Sequence, residues 1–105
     1  MTLVELKDLL ETTGYPVTYS HFTGDAPNPP YICFLEEDSN NFFADNKVYQ
    51  EARNIRIELY TVKKDQAAEK KIKSILDEHE IAYQTDESYI DSEQLFMKIF
   101  ELEMR

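Results

Sequence analysis

Near the start of the chain, hydrophobic residues recur at helical spacing. Leu3, Leu6 and Leu10 stand at positions i, i+3 and i+7, which places them on one face of a helix. Thr2 and Glu5 have the spacing of a capping box, in which each side chain accepts a hydrogen bond from a free backbone N–H. A glycine and a proline soon afterwards predict the end of this first helix.

The middle of the chain has strand patterns separated by polar segments. The predicted strands are Val17–Phe22, Tyr31–Leu35 and Val48–Val62. Tyr31–Leu35 is apolar at consecutive positions, which is typical of a strand buried on both faces, whereas Val48–Val62 alternates and predicts one face on the core. The segment Thr23–Pro30, which is rich in Gly, Asp, Asn and Pro, predicts a loop, and the polar segment Asp38–Asn46 predicts a long connection.

A second helix and further strands are predicted towards the end. Asp65 is placed to cap the helix. The apolar face of this helix consists of Ala68, Ile72, Ile75, Leu76 and His79. The segments that follow are a short strand at Ile81–Thr85, a turn at Asp86–Ser88, an edge segment at Ser88–Asp91 and a last strand at Leu95–Met104. In the last strand the apolar parity changes near Ile99 and Phe100, which predicts either a β-bulge or a switch in the environment of the strand.

The predicted order of elements is therefore α-β-β-β-α-β-β. Two helices packed on one face of a mostly antiparallel sheet is the simplest arrangement, so we expect an α+β fold. A length of 105 residues predicts a single domain over residues 1–105.

Charge and composition narrow the possible functions. Twenty-one acidic and eleven basic residues give a net charge of −10, which disfavours binding to nucleic acid or to anionic membranes. Cys33 is the one cysteine, so an intrachain disulfide is excluded, and its apolar surroundings predict a buried, inert thiol. The sequence has neither a signal-peptide pattern nor an apolar run of membrane-spanning length, so we expect synthesis in the cytoplasm.

No pattern of residues predicts catalysis, cofactor binding or metal binding. Neither His21 nor His79 has a second histidine or cysteine at metal-ligand spacing. Gly14 and Gly24 are the only glycines, which excludes glycine-rich phosphate loops and the nucleophile elbow. Pairs of acidic residues are explained better by a solvated surface than by acid–base chemistry. We therefore expect a protein that is not an enzyme.

One feature favours contact with other protein chains. Phe42 and Phe43 are adjacent within the polar segment, next to Asn40 and Asn41. Either the rings anchor this segment against the domain, or at least one is exposed until it is buried in an assembly. Tyr49 and Tyr60 are further aromatic residues predicted to lie on the outward face of a long strand. The candidate interaction loop therefore consists of Asn40, Asn41, Phe42, Phe43 and Tyr49.

Several stretches along nearly the whole chain resemble one family. They are Thr2–Lys7, Thr13–Val17, Pro30–Ile32, Ser39–Phe42, Ala44–Tyr49, Ile57–Thr61, Lys63–Asp65 and Tyr89–Glu93. In these stretches the chain resembles small tail proteins from prophages of Gram-positive bacteria, namely tail terminator or tail-completion (head–tail joining) proteins.

The resemblance implies a structural virion protein. Such a protein forms a ring, commonly a hexamer, at the head-proximal end of the tail, where it contacts tail-tube and head-connector proteins. A strongly acidic ring would also let DNA pass without binding it. Two other functions stay open: an acidic binding module or inhibitor that mimics nucleic acid and acts as a monomer, and a small enzyme that uses carboxylates in a concave pocket.

Overall fold

The structure of the protein is a computed structural model that describes residues 1–44 and 47–104, without the side chains of residues 38–52. Two helices and five strands follow one another in the predicted order, α-β-β-β-α-β-β. The elements are α1 (Leu3–Glu11), β1 (Val17–Tyr19), β2 (Tyr31–Ala44), β3 (Lys47–Thr61), α2 (Gln66–Glu78), β4 (Tyr83–Ile90) and β5 (Leu95–Met104).

Local sequence signals determine where both helices begin. The predicted capping box of α1 is confirmed, because Thr2 and Glu5 each accept a hydrogen bond from the other's backbone N–H. The Asp65 carboxylate accepts a hydrogen bond from the backbone N–H of Ala68 at the start of α2. The prediction that His79 belongs to the apolar face is wrong, because His79 is exposed; its Nδ1 lies 2.9 Å from the Ile75 carbonyl oxygen at the end of the helix.

The five strands form one sheet in the order β1-β2-β3-β5-β4. β1 and β2 are parallel, and the other three neighbouring pairs are antiparallel. The predicted α+β class with a mostly antiparallel sheet is thus confirmed. Residues opposite each other in an antiparallel pair point to the same face. The register therefore assigns the described side chains of the paired strands to one of the two faces of the sheet.

Both helices pack on one face of this sheet. Its central row runs from Phe34 in β2 through Ile57 in β3 to Phe100 in β5, and all three side chains are buried. Leu6 and Leu10 of α1 and Ala68, Ile72 and Leu76 of α2 close the same core. The capped helices therefore cover the face on which the alternating residues of β3 place their apolar side chains.

A buried ionic contact joins α2 to the sheet at one edge of this core. Glu69 is 6% exposed, and its carboxylate lies 2.9 Å from Lys64 Nζ and 3.8 Å from Lys98 Nζ. Lys64 also donates a hydrogen bond to Glu87 in β4. These side chains tie the second helix to both C-terminal strands.

Three predictions about strand limits are wrong. β1 ends at Tyr19 instead of Phe22, because Ser20 has a positive φ of 67° that extended backbone does not allow. β4 is continuous from Tyr83 to Ile90, with no turn at Asp86–Ser88, because β5 pairs with it along its whole length. β5 keeps its register past Ile99 and so has no bulge.

The predicted connection Asp38–Asn46 is also wrong for its larger part, since β2 continues to Ala44. It pairs with β3 as far as Ala44 opposite Lys47, with irregularities between Glu36 and Ser39 and between Asn41 and Phe43. β1 accompanies β2 only over Ile32–Phe34, and β5 accompanies β3 only from Arg53 onwards. Residues 40–44 and 47–52 therefore form a two-stranded extension, here called the ribbon.

Candidate protein-interaction surface

No helix in the described part of the chain packs on the second face of the sheet. We call this the uncovered face. Three rows of opposed residues make up its middle: Tyr31, Tyr60 and Met97; Cys33, Glu58 and Ile99; and Leu35, Arg56 and Glu101. Asp86 extends the second row into β4. The face thus changes from aromatic and apolar at one end to charged at the other.

Aromatic rings are concentrated at the apolar end. The rings of Tyr31 and Tyr60 stack with centroids 4.9 Å apart and planes 20° from parallel. Phe22, in the segment after β1, meets the edge of Tyr31 at 5.4 Å. Stacked and edge-on aromatic pairs stabilise each other beyond the area that they bury, so these rings hold a fixed platform.

A hydrogen-bonded ionic group lies next to the platform. The Tyr60 hydroxyl donates a 2.8 Å hydrogen bond to Glu58, and burial together with this bond raises the pKa of the phenol. Arg56 Nε lies 2.9 Å from Glu58 Oε2, but not along the N–H direction, so the contact is ionic without being a hydrogen bond. A second, longer ionic contact of 3.8 Å joins Arg56 to Glu37. Charge on this face is thus held in place mainly by side chains of β3, with one contact to β2.

Negative charge dominates the remainder of the uncovered face. Besides Glu58, the register puts Asp86, Glu101 and Glu103 on this side, and all three are exposed. Arg56 is the cation that the described residues place among them. A partner with positive charge next to apolar groups would complement this surface.

Cys33 belongs to the same face but is buried, as predicted. Its side chain is 4% exposed, and desolvation, with the nearby Glu58 carboxylate, raises the pKa of the thiol to about 11. A nucleophilic cysteine needs a lowered pKa and access to solvent, and this one has neither. The thiol therefore acts as a small packing group.

The ribbon is the second candidate surface. Its longer strand has six residues, which corresponds to roughly 20 Å at about 3.3 Å per residue. This extension fits the elongated dimensions of the molecule, 48 × 29 × 23 Å. An isolated pair of strands is only marginally stable in water, and its outer edges offer unpaired backbone groups to another chain.

The predicted interaction residues all fall on this ribbon. The backbones of Asn40, Asn41, Phe42 and Phe43 belong to β2 and that of Tyr49 to β3, but their side chains lie outside those that the structure describes. The prediction that they meet a partner therefore stays a prediction.

Sequence reasoning found part of the uncovered face. The alternation of Arg56, Glu58 and Tyr60 predicted an outward row, and the register confirms it. Tyr31 was missed, because every residue of the apolar run Tyr31–Leu35 is suited to either face of the sheet. Its place on the uncovered face follows from its pairing with Tyr60, and that pairing is known only once the register of β2 against β3 is known.

Metal-ligand groups and membrane-spanning helices are absent from the described part of the chain. No group of three or more His, Cys, Asp or Glu side chains in the described ranges is arranged to hold a metal ion. Neither described helix has the length and apolar character required to cross a membrane. No protein-family model matches the chain, and no curated protein sequence is significantly similar to it.

Proposed function

We propose that this protein is a structural subunit that assembles with other copies of itself into a ring, as a tail terminator or tail-completion protein at the head-proximal end of a phage tail. The ribbon is the observation that carries the assembly role. A two-stranded extension outside the sheet is stabilised when a neighbouring subunit covers it. The resemblance along the chain supplies the tail-specific part of the proposal.

The uncovered face supports the same assembly role. Its aromatic platform and fixed charges have the composition of a protein interface, with tyrosine and apolar groups at one end and polar groups next to them. Contact with other protein chains is its best-supported use. The expected partners are other copies, tail-tube proteins and head-connector proteins.

Shortening the ribbon tests the assembly role. Residues 40–52 are replaced by Asn-Gly, so that a two-residue turn joins Ser39 to Arg53, which face each other in the hairpin. We expect the shortened protein to keep the circular dichroism of the sheet and to lose assembly. Phe42→Ser with Phe43→Ser is the matched variant, because it retains the backbone of the ribbon and removes the two rings.

Sedimentation over a range of concentrations, with electron microscopy of the heaviest species, is the measurement. Rings from the full chain and monomers from the shortened chain are expected. A full chain that stays monomeric at every concentration and on added tail tubes would contradict the proposal. In a phage that encodes the protein, deletion of its gene is expected to leave heads and tails unjoined or tails of uncontrolled length.

A further inference from the structure

Basic charge in this acidic protein is concentrated on α2 and the segment just before it. Five of the eleven basic residues of the chain fall within residues 63–74. They are Lys63, Lys64, Lys70, Lys71 and Lys73. The two acidic residues in the same range are engaged within the fold, one as the cap of α2 and one in the buried ionic contact. The outer surface of α2 is therefore positive over its first turns, whereas its last turn has the exposed Asp77 and Glu78.

Two of these lysines are directed away from the domain's own contacts. Lys70 is exposed and Lys73 half-buried, and neither lies within 4 Å of a carboxylate among the described residues. Lys71, in contrast, donates a 3.3 Å hydrogen bond to the Thr13 carbonyl and lies over the ring of Tyr15. Lys70 and Lys73 thus stay available to a partner.

The same side of the molecule has a concave site. A groove of about 540 Å³ lies between the end of α1 and α2. Its lining combines Lys70 and Lys71 with Thr12, Thr13 and the half-buried Ile75, and Glu78 lies at one end. Two lysines thus occur beside apolar surface, which complements the acidic and apolar groups of the uncovered face.

We propose that the uncovered face of one copy binds the outer surface of α2 of the next copy, in a head-to-tail contact. The acidic groups Asp86 and Glu101 on one side would meet Lys70 and Lys73 on the other. The helices lie on one side of the sheet and the uncovered face on the opposite side, so each copy presents both halves of the contact. A contact between different surfaces repeats from copy to copy, and a suitable rotation closes it into a ring.

This inference rests on the proposed assembly role and names the surfaces that carry it. Charge complementarity selects a second copy as the occupant, since the chain itself supplies both signs on opposite faces. Contact of an acidic face with its own equivalent would juxtapose like charges, which costs several-fold or more in affinity.

Charge reversal tests it. The helix variant has Lys70→Glu and Lys73→Glu, the sheet variant has Asp86→Lys and Glu101→Lys, and the combined variant has all four changes. We expect each two-residue variant to need at least about tenfold more protein to assemble, and the combined variant to recover to within about threefold of the original. A mixture of the helix and sheet variants should assemble with the two variants alternating, because one contact is then native and the next is the exchanged contact of the combined variant.

The neutral variants Lys70→Gln and Glu101→Gln are controls for folding, and both should shift assembly in the same direction by a smaller factor. Salt should weaken wild-type assembly between about 0.05 and about 0.5 M and should affect the neutral variants less. Rings from either two-residue variant at the wild-type concentration, or a folded combined variant that stays monomeric, would overturn the head-to-tail contact. Both outcomes leave the ring proposal intact, which only a failure of the wild-type chain to assemble contradicts.

Discussion

The buried carboxylate of Glu69 offers a test of how the second helix is held on the sheet. Substituting Glu69→Gln preserves the size of the side chain and removes its charge. Lys98, whose side chain is 15% exposed, then has no carboxylate within 4 Å among the described residues. Lys64 keeps its contact with Glu87 at the exposed end of the cluster.

The expected cost follows from the exposure of the partners. Breaking a fully buried ion pair costs about 3–5 kcal/mol, while a surface pair contributes about 0–1 kcal/mol. Lys98 is mostly buried but 3.8 Å away, and Lys64 is closer but 42% exposed. The free energy of unfolding should therefore fall by about 2 kcal/mol, between the two limits.

Urea unfolding followed by circular dichroism, at concentrations too low for assembly, measures this loss. Glu87→Gln is the matched control, because it removes a carboxylate from the exposed end, and it should cost at most about 1 kcal/mol. Replacing the buried pair with Glu69→Leu and Lys98→Met should restore stability to within about 1 kcal/mol of the wild type, since apolar packing substitutes for a buried pair. If Glu69→Gln cost no more than the control, the burial of this carboxylate would have no energetic consequence and the reasoning would be wrong.

Four further predictions concern single residues. Phe100→Ala, in the centre of the core, should lower the free energy of unfolding by about 4 kcal/mol in the same urea assay, whereas a loss under about 1 kcal/mol would mean that the ring is not tightly packed. Glu80→Gly should raise stability by about 1 kcal/mol and the melting temperature with it, because Glu80 has a φ of 55° in the turn that ends α2; Glu80→Ala, which keeps the strain, should not. The hydrogen bond from Lys64 lowers the pKa of Glu87 from its ordinary value of 4.5. The ionised Glu87 therefore adds to the free energy of unfolding above that pH, and this contribution is lost as pH falls through the folded-state pKa. In an acid titration, Glu87→Gln should lose less stability than the wild type. In urea, the rate at which a thiol reagent labels Cys33 should not exceed the rate at which the domain unfolds. Rapid labelling of the native protein would contradict the burial of this thiol.

Local signals explain which parts of the fold were predictable. The two helix starts depend on residues three positions apart, and both were found because a cap acts within one turn. The rows of β3 were found from their period of two. These features need no knowledge of the rest of the chain.

Pairing between distant strands explains what could not be predicted. Asp86, Glu87 and Ser88 have the composition of a turn, but β5 pairs with all three, and Glu87 stands opposite Lys98. Ile99 and Phe100 are both buried because each face of the sheet has its own apolar neighbours, so consecutive apolar residues do not require a bulge. Tertiary contacts override local preference in these strands.

The polar half of β2 is the clearest case of the same effect, and it contains the candidate interaction residues. Asp, Ser and Asn have low strand propensity, and a segment that is polar on both parities shows no preferred face. Its extended backbone is set by pairing with β3, which the sequence around residue 40 does not encode. The predicted position of the interaction residues thus changes from a loop tip to a strand outside the main sheet.

Placement of charge favours the proposed assembly over mimicry of nucleic acid. A mimic needs carboxylates spread over an exposed surface with little apolar area between them, because DNA presents phosphates to its partners. Here the carboxylates of the uncovered face adjoin stacked tyrosines, and Glu58 is committed to Tyr60 and Arg56. The opposite side of the molecule has Lys70, Lys71 and Lys73 on α2, which would weaken the attraction of the basic proteins that a mimic has to bind. The acidic uncovered face and the lysines of α2 are complementary, which favours contact between copies of this chain. Mixing the protein with a basic DNA-binding protein should therefore yield no complex that survives about 0.15 M salt.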